Sequence, residues 1–425
     1  MVNSQNMRLY VHIPFCLKKC DYCDFFSLPS ATISDDYVKA LVKEASFYAK
    51  AYSIPAWKTL YVGGGTPSLL NADQMEFLIE GIKSACPQGI EGEACFELNP
   101  ESVSEEKLLT LSKCGINRIS LGVQSFSDKS LKAINRHASL EATLNGLEKV
   151  KSLWRGQLNL DLIAGLPLQT EEEFLLGIDK ALSFNAHHIS LYSLMVEEGT
   201  PLYEKIENGM EWDSDEADRL WLLGRDYLEK KGFKQYEVSN FAKGRQFYSH
   251  HNLAYWQQKN YLGLGSGATS TNYNFFTSEE PSALRWTNSL DIKKYTDFFL
   301  NFNLSSMTKE DCLYLLKKDE SSENSIPRQK EFLSLSTLEE EFFMLGFRTC
   351  EGVNSLDYKK KYSKLGPYFG DIEKRLGVDK KDGLFTKWEK EGKIVRKKNA
   401  DETKSYFLNK DGLLFLNSFL LELFD

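Results

Sequence analysis

The sequence predicts an α/β fold: a parallel sheet built from repeated strand–helix–strand units, followed by a smaller C-terminal helical or winged-helix-like unit. Three observations predict it. Strand-like apolar runs alternate with helical patterns through the first half of the chain. Polar residues that cap helices precede several of those patterns. Polar and glycine-bearing segments collect just after the strands, the edge where barrels and open α/β sheets alike bind ligands.

The strand candidates are residues 9–13, 59–62, 94–98, 118–123, 158–163 and 188–194. Helical stretches at 35–51, 73–85, 105–114, 140–154 and 171–184 fall between them, with Ser34, Asn71, Ser104 and Thr170 as caps. The periodicity allows a full barrel, a partial barrel or an open doubly wound sheet. Beyond Asn272 the alternation fades, and the Ser-, Lys- and Glu-rich residues 317–329 read as a surface linker. A helical pattern returns at 338–347. Short apolar runs at 383–385 and 406–408 and an apolar helix at 413–424 complete the C-terminal unit.

The 425 residues carry a net charge of −8, which argues against a dedicated nucleic-acid surface. No run approaches the ~18 apolar residues of a transmembrane helix. The polar N-terminus lacks the apolar core of a signal peptide. A cytoplasmic chain with reduced thiols is the expectation. Of eight cysteines, Cys86, Cys95, Cys114, Cys312 and Cys350 stand singly and read as small core residues, whereas Cys16, Cys20 and Cys23 lie together. A tight cysteine group in a reducing compartment points to metal rather than disulfides.

The group lies in His12-Ile13-Pro14-Phe15-Cys16-Leu17-Lys18-Lys19-Cys20-Asp21-Tyr22-Cys23. Its spacing lets one loop serve three irons of an iron–sulfur cube and leaves the fourth open, as a reactive metal site requires. A zinc site with His12 as fourth ligand is the alternative, since sulfur-rich tetrahedral sites suit both metals.

This Cys-x₃-Cys-x₂-Cys loop after a first strand, followed by Gly63-Gly64-Gly65-Thr66-Pro67, resembles the radical S-adenosylmethionine (SAM) superfamily. The resemblance implies a partial (β/α)₆ barrel of TIM-barrel type and a [4Fe–4S] cluster on Cys16, Cys20 and Cys23. It also implies SAM bound at the open iron. Further segments occur in order: Tyr10–Cys16, Glu97-Leu98-Asn99-Pro100, Gly122–Phe126, Ile134-Asn135-Arg136 and Leu160–Pro167. Together they are similar to the oxygen-independent coproporphyrinogen III oxidases and their haem-chaperone relatives, the HemW family. Carried over by position, Tyr10, Gly64, Glu97, Gln124, Arg136 and Asp161 would contact the SAM on the cluster. Tyr22, Gly65 and Thr66 match positions that hold a second SAM in the oxidase. The residue chemistry agrees: glycines let backbone approach an ammonium, carboxylates accept from hydroxyls or the ammonium, and arginine forks a carboxylate. Without the resemblance, Glu97 and Asp161 read equally well as strand-end groups capping loops.

Three features favour the chaperone branch. Phe25 stands where the oxidase carries a fourth cysteine, and only a short segment precedes Cys16. The third is His251-Asn252-Leu253-Ala254-Tyr255-Trp256, which matches the His-Asn-x-x-Tyr-Trp signature of the haem-binding branch. The signature implies haem bound by His251 as axial ligand, with Tyr255 and Trp256 as walls, in a chain read as extended. On pattern alone, His250 and His251 read as ordinary loop histidines. Three departures, Ser266, Thr269 and His137, leave a second axial ligand or a covalent haem link open. The expectation is a haem chaperone serving an apo-haemoprotein, with a flavodoxin or ferredoxin as electron donor. The alternative is a radical SAM enzyme acting on a tetrapyrrole. Residues 1–275 would form the barrel with all three ligand segments, 276–335 a connection, and 336–425 the C-terminal unit.

Overall fold

A computed structural model of the chain describes residues 6–273, 283–318, 322, 325–363, 371–378 and 380–424. The six predicted strands are present to within a residue or two: β1 (Arg8–Ile13), β2 (Leu60–Gly64), β3 (Ala94–Leu98), β4 (Arg118–Gln124), β5 (Gln157–Ala164) and β6 (His188–Ser193). The intervening helices are α1 (Asp35–Tyr52), α2 (Ala72–Ser84), α3 (Glu105–Lys113), α4 (Asp128–Ala133), α5 (Leu140–Leu153) and α6 (Glu171–Leu182), and α7 (Pro201–Glu207), α8 (Ser214–Lys230) and α9 (His250–Trp256) follow β6. The caps act as the sequence suggests. Ser34 and Ser104 accept the backbone N–H three residues on, while Asn71 and Thr170 form capping boxes with Gln74 and Glu173.

Strands β1 to β6 pair in chain order, all parallel. A doubly wound sheet would reverse direction at a switch point; this one does not, so it curls as a partial (β/α)₆ barrel. Later strands extend both flanks. The antiparallel strand β7 (Asn240–Ala242) joins β6, and β8 (Tyr261–Leu264) joins β1 in parallel. Beyond β8 follow β9 (Thr269–Tyr273), β10 (Ala283–Asn288) and β11 (Arg328–Leu333), each antiparallel to its neighbour.

These last strands differ from the expectation of a plain connection after Asn272. Their residues and those of α10 (Ile292–Asn301) and α11 (Lys309–Lys317) belong largely to the barrel's packing. Trp286, Tyr295, Phe299, Cys312 and Leu316 share one apolar core with α1 and β1. The expected boundary at 275–276 and part of the 317–329 stretch lie outside the described residues. Arg328 and Gln329, read as linker, open β11.

A second core belongs to the C-terminal unit. It gathers Phe343 and Phe347 of or beside α12 (Leu335–Gly346), Tyr358 and Tyr362 of α13 (Ser355–Tyr362), Trp388 and Phe419. A small antiparallel sheet of β12 (Val353–Asn354), β14 (Lys404–Leu408) and β13 (Ile394–Lys398), in that order, completes it. The unit is tied to the end of the barrel where the parallel strands begin. Val238 N–H donates to Arg348 O at 3.0 Å, and Gln258 Nε2 to Leu338 O at 2.8 Å. No helix among the described residues is long and apolar enough to cross a membrane.

Candidate functional site

The three-cysteine loop leaves β1 at the strand's C-terminal end. Phe15–Cys16 pairs in parallel with Leu28–Pro29, and Cys23 N–H closes a turn onto Cys20 O at 3.1 Å. Buried Asp21 pins the loop from below: it accepts from Asn135 Nδ2 at 2.9 Å and forms an ion pair with Lys205. Its N–H donates to Ile134 O at 3.0 Å.

Donors aim at the sulfurs. Thr66 Oγ1 lies 3.4 Å from Cys16 Sγ, and Arg136 Nη1 lies 3.6 Å from Cys20 Sγ. Burial raises the Cys23 thiol, the Phe25 backbone offsets this, and the neighbouring Cys20 and Cys16 raise it again. Gly65 passes so close that an added Cβ would meet Phe15 O at 2.7 Å and Cys16 Sγ at 3.0 Å. The glycine is therefore required by the loop itself.

Among the described residues, no group of three His, Cys, Asp or Glu side chains converges on a point that could hold one metal ion. Thiolates around a cube each meet a separate iron and stand further apart than ligands of one ion. His12 is also engaged: Nδ1 pairs with Tyr10 OH at 2.8 Å and Nε2 with Phe26 O at 3.1 Å. The chemistry of three thiols on one loop suits an iron–sulfur cube, whereas an engaged His12 does not suit the fourth ligand of a single zinc.

The residues matched to SAM contacts surround this loop. Gly64 has φ +117°, and a Cβ there would lie 2.6 Å from His12 Nδ1, so only glycine fits. Its N–H donates to Glu97 Oε2 at 3.2 Å, and Tyr61 OH donates to Glu97 Oε1 at 2.6 Å. Arg136 Nη2 donates to Gly122 O at 2.7 Å and Asn99 Oδ1 at 3.0 Å, which fixes the guanidinium beside Cys20. Gln124 sits at a break in the β4–β5 register with φ +66°, a costly conformation for a residue with a side chain. Tyr22 is held against the Ile134–Leu166–Leu202 cluster.

Asp161 lies deeper, inside the barrel. It accepts from Ser120 Oγ at 3.0 Å and Asn159 Nδ2 at 2.8 Å. Burial raises the Asp161 carboxyl and lifts that of Glu97 to about 7, the latter opposed by Tyr61 and Gly64 and reinforced by Asp161. The interior cavity that both acids line holds only about 40 Å³, room for water and no more. Anything of SAM's size must lie above it, at the open strand ends. Tyr61, Asn99 and Asp21 were missed by sequence reasoning. The alternation of β2 and β3 was the available signal, since it turns Tyr61 and Glu97 to the same inner face.

The haem signature lies elsewhere and takes another form. Residues His250–Trp256 are a helix, α9, not an extended chain. Helical spacing puts His251 and Tyr255 on one face. The helix closes the barrel at the ends where the strands begin. Thr59 and Glu93, at those ends, bond to it, and Arg118 Nη1 donates to Phe247 O just before it at 2.9 Å. Glu93 accepts from His251 N–H at 2.9 Å and His250 N–H at 3.1 Å, holding the first turn.

His251 is 1% exposed. Its Nδ1 pairs with Thr59 Oγ1 at 2.7 Å, its Nε2 with Tyr255 OH at 2.8 Å, and its ring stacks on Tyr61. Burial, with Arg8 adding, drives its pKa down to about 3. Both nitrogens are therefore committed, and the residue does not fit a haem ligand in this arrangement. Tyr255, half-buried, belongs to the same set, edge-on to His251 and Tyr261. Trp256 points the other way, into a cleft beside the C-terminal unit. The structure thus separates the expected ligand residues into two groups at opposite ends of the barrel.

Residues 10–180 match the family model described as the Radical SAM superfamily. The chain is 36% identical over 276 residues to heme chaperone HemW of Escherichia coli (strain K12), covering 63% of this chain and 71% of that protein. It is 32% identical over 376 residues to heme chaperone HemW of Bacillus subtilis (strain 168), covering 86% and 90%. A mitochondrial mouse protein, radical S-adenosyl methionine domain-containing protein 1, is 35% identical over 62% of this chain and 60% of its own length. Among solved structures, coproporphyrinogen III oxidase (HemN) from Escherichia coli, described as a radical SAM enzyme, superposes with a TM-score of 0.71. That match covers 99% of this chain and 90% of that one at 19% identity, a likeness of fold.

Proposed function

Since the chain belongs to the HemW family of the radical SAM superfamily, we propose that it binds haem as cargo and delivers it to an apo-haemoprotein. The observation that carries this is the 32% identity to a heme chaperone HemW over 86% of this chain and 90% of that protein, more than the barrel alone. Phe25 supports it: the position two residues after Cys23 offers an exposed phenyl ring in place of a fourth thiol.

In this reading Cys16, Cys20 and Cys23 hold a [4Fe–4S] cluster, and SAM lies over it at the open strand ends. Once bound, the cluster supplies one-electron chemistry at an open iron. The chain's own groups do the rest. Arg136, braced by Asn99 and Gly122, stands beside Cys20 where it can fork a carboxylate. Glu97, set by Tyr61, presents an acceptor next to the Gly64 backbone. In this reading the barrel carries this machinery, β10, β11, α10 and α11 pack beside α1 on its flank, and the C-terminal unit is tied to the opposite end. The cytoplasm, and an electron donor of the flavodoxin or ferredoxin kind, fit a chain whose cysteines must stay reduced.

Haem titration of the reconstituted protein should give a stoichiometric Soret band, and the haem should pass to an apo-haemoprotein on mixing. A wild type that takes up no stoichiometric haem would overturn the proposal. Anaerobic incubation with coproporphyrinogen III should yield no protoporphyrinogen, because Phe25 stands where the oxidases carry a fourth cysteine. Formation at enzymatic rates would instead favour a tetrapyrrole-modifying enzyme.

SAM binding, followed by calorimetry on the reconstituted cluster, should weaken at least about tenfold in Arg136→Ala, the loss of one charge-assisted fork. It should weaken also in Asp161→Ala, with Asp161→Asn as the variant that keeps the interior hydrogen bonds from Ser120. Unchanged affinity in both alanine variants would remove these residues from the pocket.

A further inference from the structure

Asn159 and Asp161 stand two apart on β5, as His188 and Ser190 do on β6, so strand alternation turns each pair to one face, the barrel interior. The register sets Asn159 beside His188, Asp161 beside Ser190, and Ser120 of β4 beside Asn159. Polar residues from three adjacent strands thus meet around one carboxylate.

Their hydrogen bonds run in one direction. As a carboxylate, Asp161 can only accept, so Asn159 Nδ2 donates to Asp161 Oδ1 at 2.8 Å. Asn159 Oδ1 is thereby turned to His188 Nδ1, 2.5 Å away, and accepts from it. His188 then carries its proton on Nδ1, and its Nε2 accepts from the Tyr236 hydroxyl at 2.8 Å. That hydroxyl accepts in turn from Ser249 N–H at 3.0 Å, at the cap of α9. Burial, with Arg118 adding, drives the His188 pKa well below normal, in keeping with a neutral ring that bears one N–H.

The chain has one open member. Ser120, Asn159, His188, Ser190 and Tyr236 are buried, whereas Asp161 is half-buried. Ser120 Oγ holds the second carboxylate oxygen at 3.0 Å. The Asn159 amide is steadied further by Ser120 Oγ at 2.7 Å and Ser190 Oγ at 3.0 Å. A carboxylate offers about four acceptor positions, so Asp161 keeps capacity for a donor from a ligand.

We propose that His188 and Asn159 are positioning residues for SAM. His188, its tautomer set by Tyr236, locks the Asn159 amide, and Asn159 fixes the Asp161 carboxylate to accept from a hydroxyl or the ammonium of SAM. Within this chain, Asp161 is the member that meets SAM, and the others act through it. The inference rests on the proposed function, because it takes Asp161 as a SAM contact.

The test is calorimetric SAM binding to the full reconstituted chain, arranged as a double-mutant cycle with Asp161→Ala. His188→Leu should weaken SAM at least about tenfold when Asp161 is present and less than about twofold in the Asp161→Ala background. His188→Asn, whose amide can still donate from near the place of Nδ1, should recover most of the affinity. Tyr236→Phe removes a single oxygen and keeps the inference testable if His188→Leu does not fold. It should weaken SAM about threefold, again only with Asp161 present. Iron content should match the wild type throughout, since none of these residues touches the cluster loop. Unchanged affinity in His188→Leu or Tyr236→Phe overturns the inference. So does an equal loss with and without Asp161, the mark of a residue that merely supports the barrel, or a His188→Asn variant no better than His188→Leu. Unchanged affinity in Asp161→Ala itself overturns instead the reading of Asp161 as a SAM contact.

Discussion

Replacing Cys16, Cys20 or Cys23 by alanine is expected to abolish the brown iron–sulfur chromophore in each single variant. A cluster held by three protein thiolates cannot lose one and remain anchored, so iron and acid-labile sulfide should fall to background. The geometry supplies an internal control. Cys95 faces the barrel interior and Cys114 caps α3, both buried and both with thiols raised by burial, as befits inert core residues. Cys95→Ala and Cys114→Ala should retain full iron. Loss of iron in either, or retention in any of the three loop variants, would overturn the ligand assignment. Arg136→Ala should keep the iron, because the guanidinium lies on Cys20 without supplying a ligand atom.

His251→Ala is expected to cost about 3–4 kcal/mol of stability rather than simply to remove a haem ligand. The substitution leaves Thr59 Oγ1 and the Tyr255 hydroxyl without their imidazole partner in a buried site and opens a gap against Tyr61. Thermal unfolding would show it as a lowered midpoint. pH adds a second signature. The folded pKa of about 3 lies below the usual ~6.5 of a free histidine, so between those values the unfolded chain binds more protons. Stability contributed by neutral His251 is full above about pH 6.5 and falls by ~1.4 kcal/mol per pH unit as the pH drops toward 3. His251→Ala should flatten part of that acid slope. Buried His188, held by Asn159 and Tyr236 with its pKa driven well below normal by burial, contributes to the remaining slope, as does His12. A variant that folds with wild-type stability but loses the Soret band would restore His251 as the ligand.

The six parallel strands, the five helices between them that carry the apolar periodicity, and the three-cysteine loop were determined by the sequence alone, because each rests on local chemistry. Strand alternation, Ser and Thr caps and three cysteines within one turn-forming segment act over a few residues, and no distant partner is needed to read them. Phe25 in place of a thiol is legible in the same way. Three things were decided only by the tertiary structure. The direction of sheet winding follows from strand order, which periodicity leaves open. The polar inner face, where Tyr61 meets Glu97 and Ser120 meets Asp161, exists only once the strands curl around it. The His251 segment was read as an extended ligand strand and is a helix buried in the barrel floor. Its partners, Thr59 and Glu93, stand 192 and 158 residues away along the chain. A histidine's role depends on whether its two nitrogens find partners at home. For His251 that answer depends on burial and on partners brought together by the closing barrel, which no motif encodes.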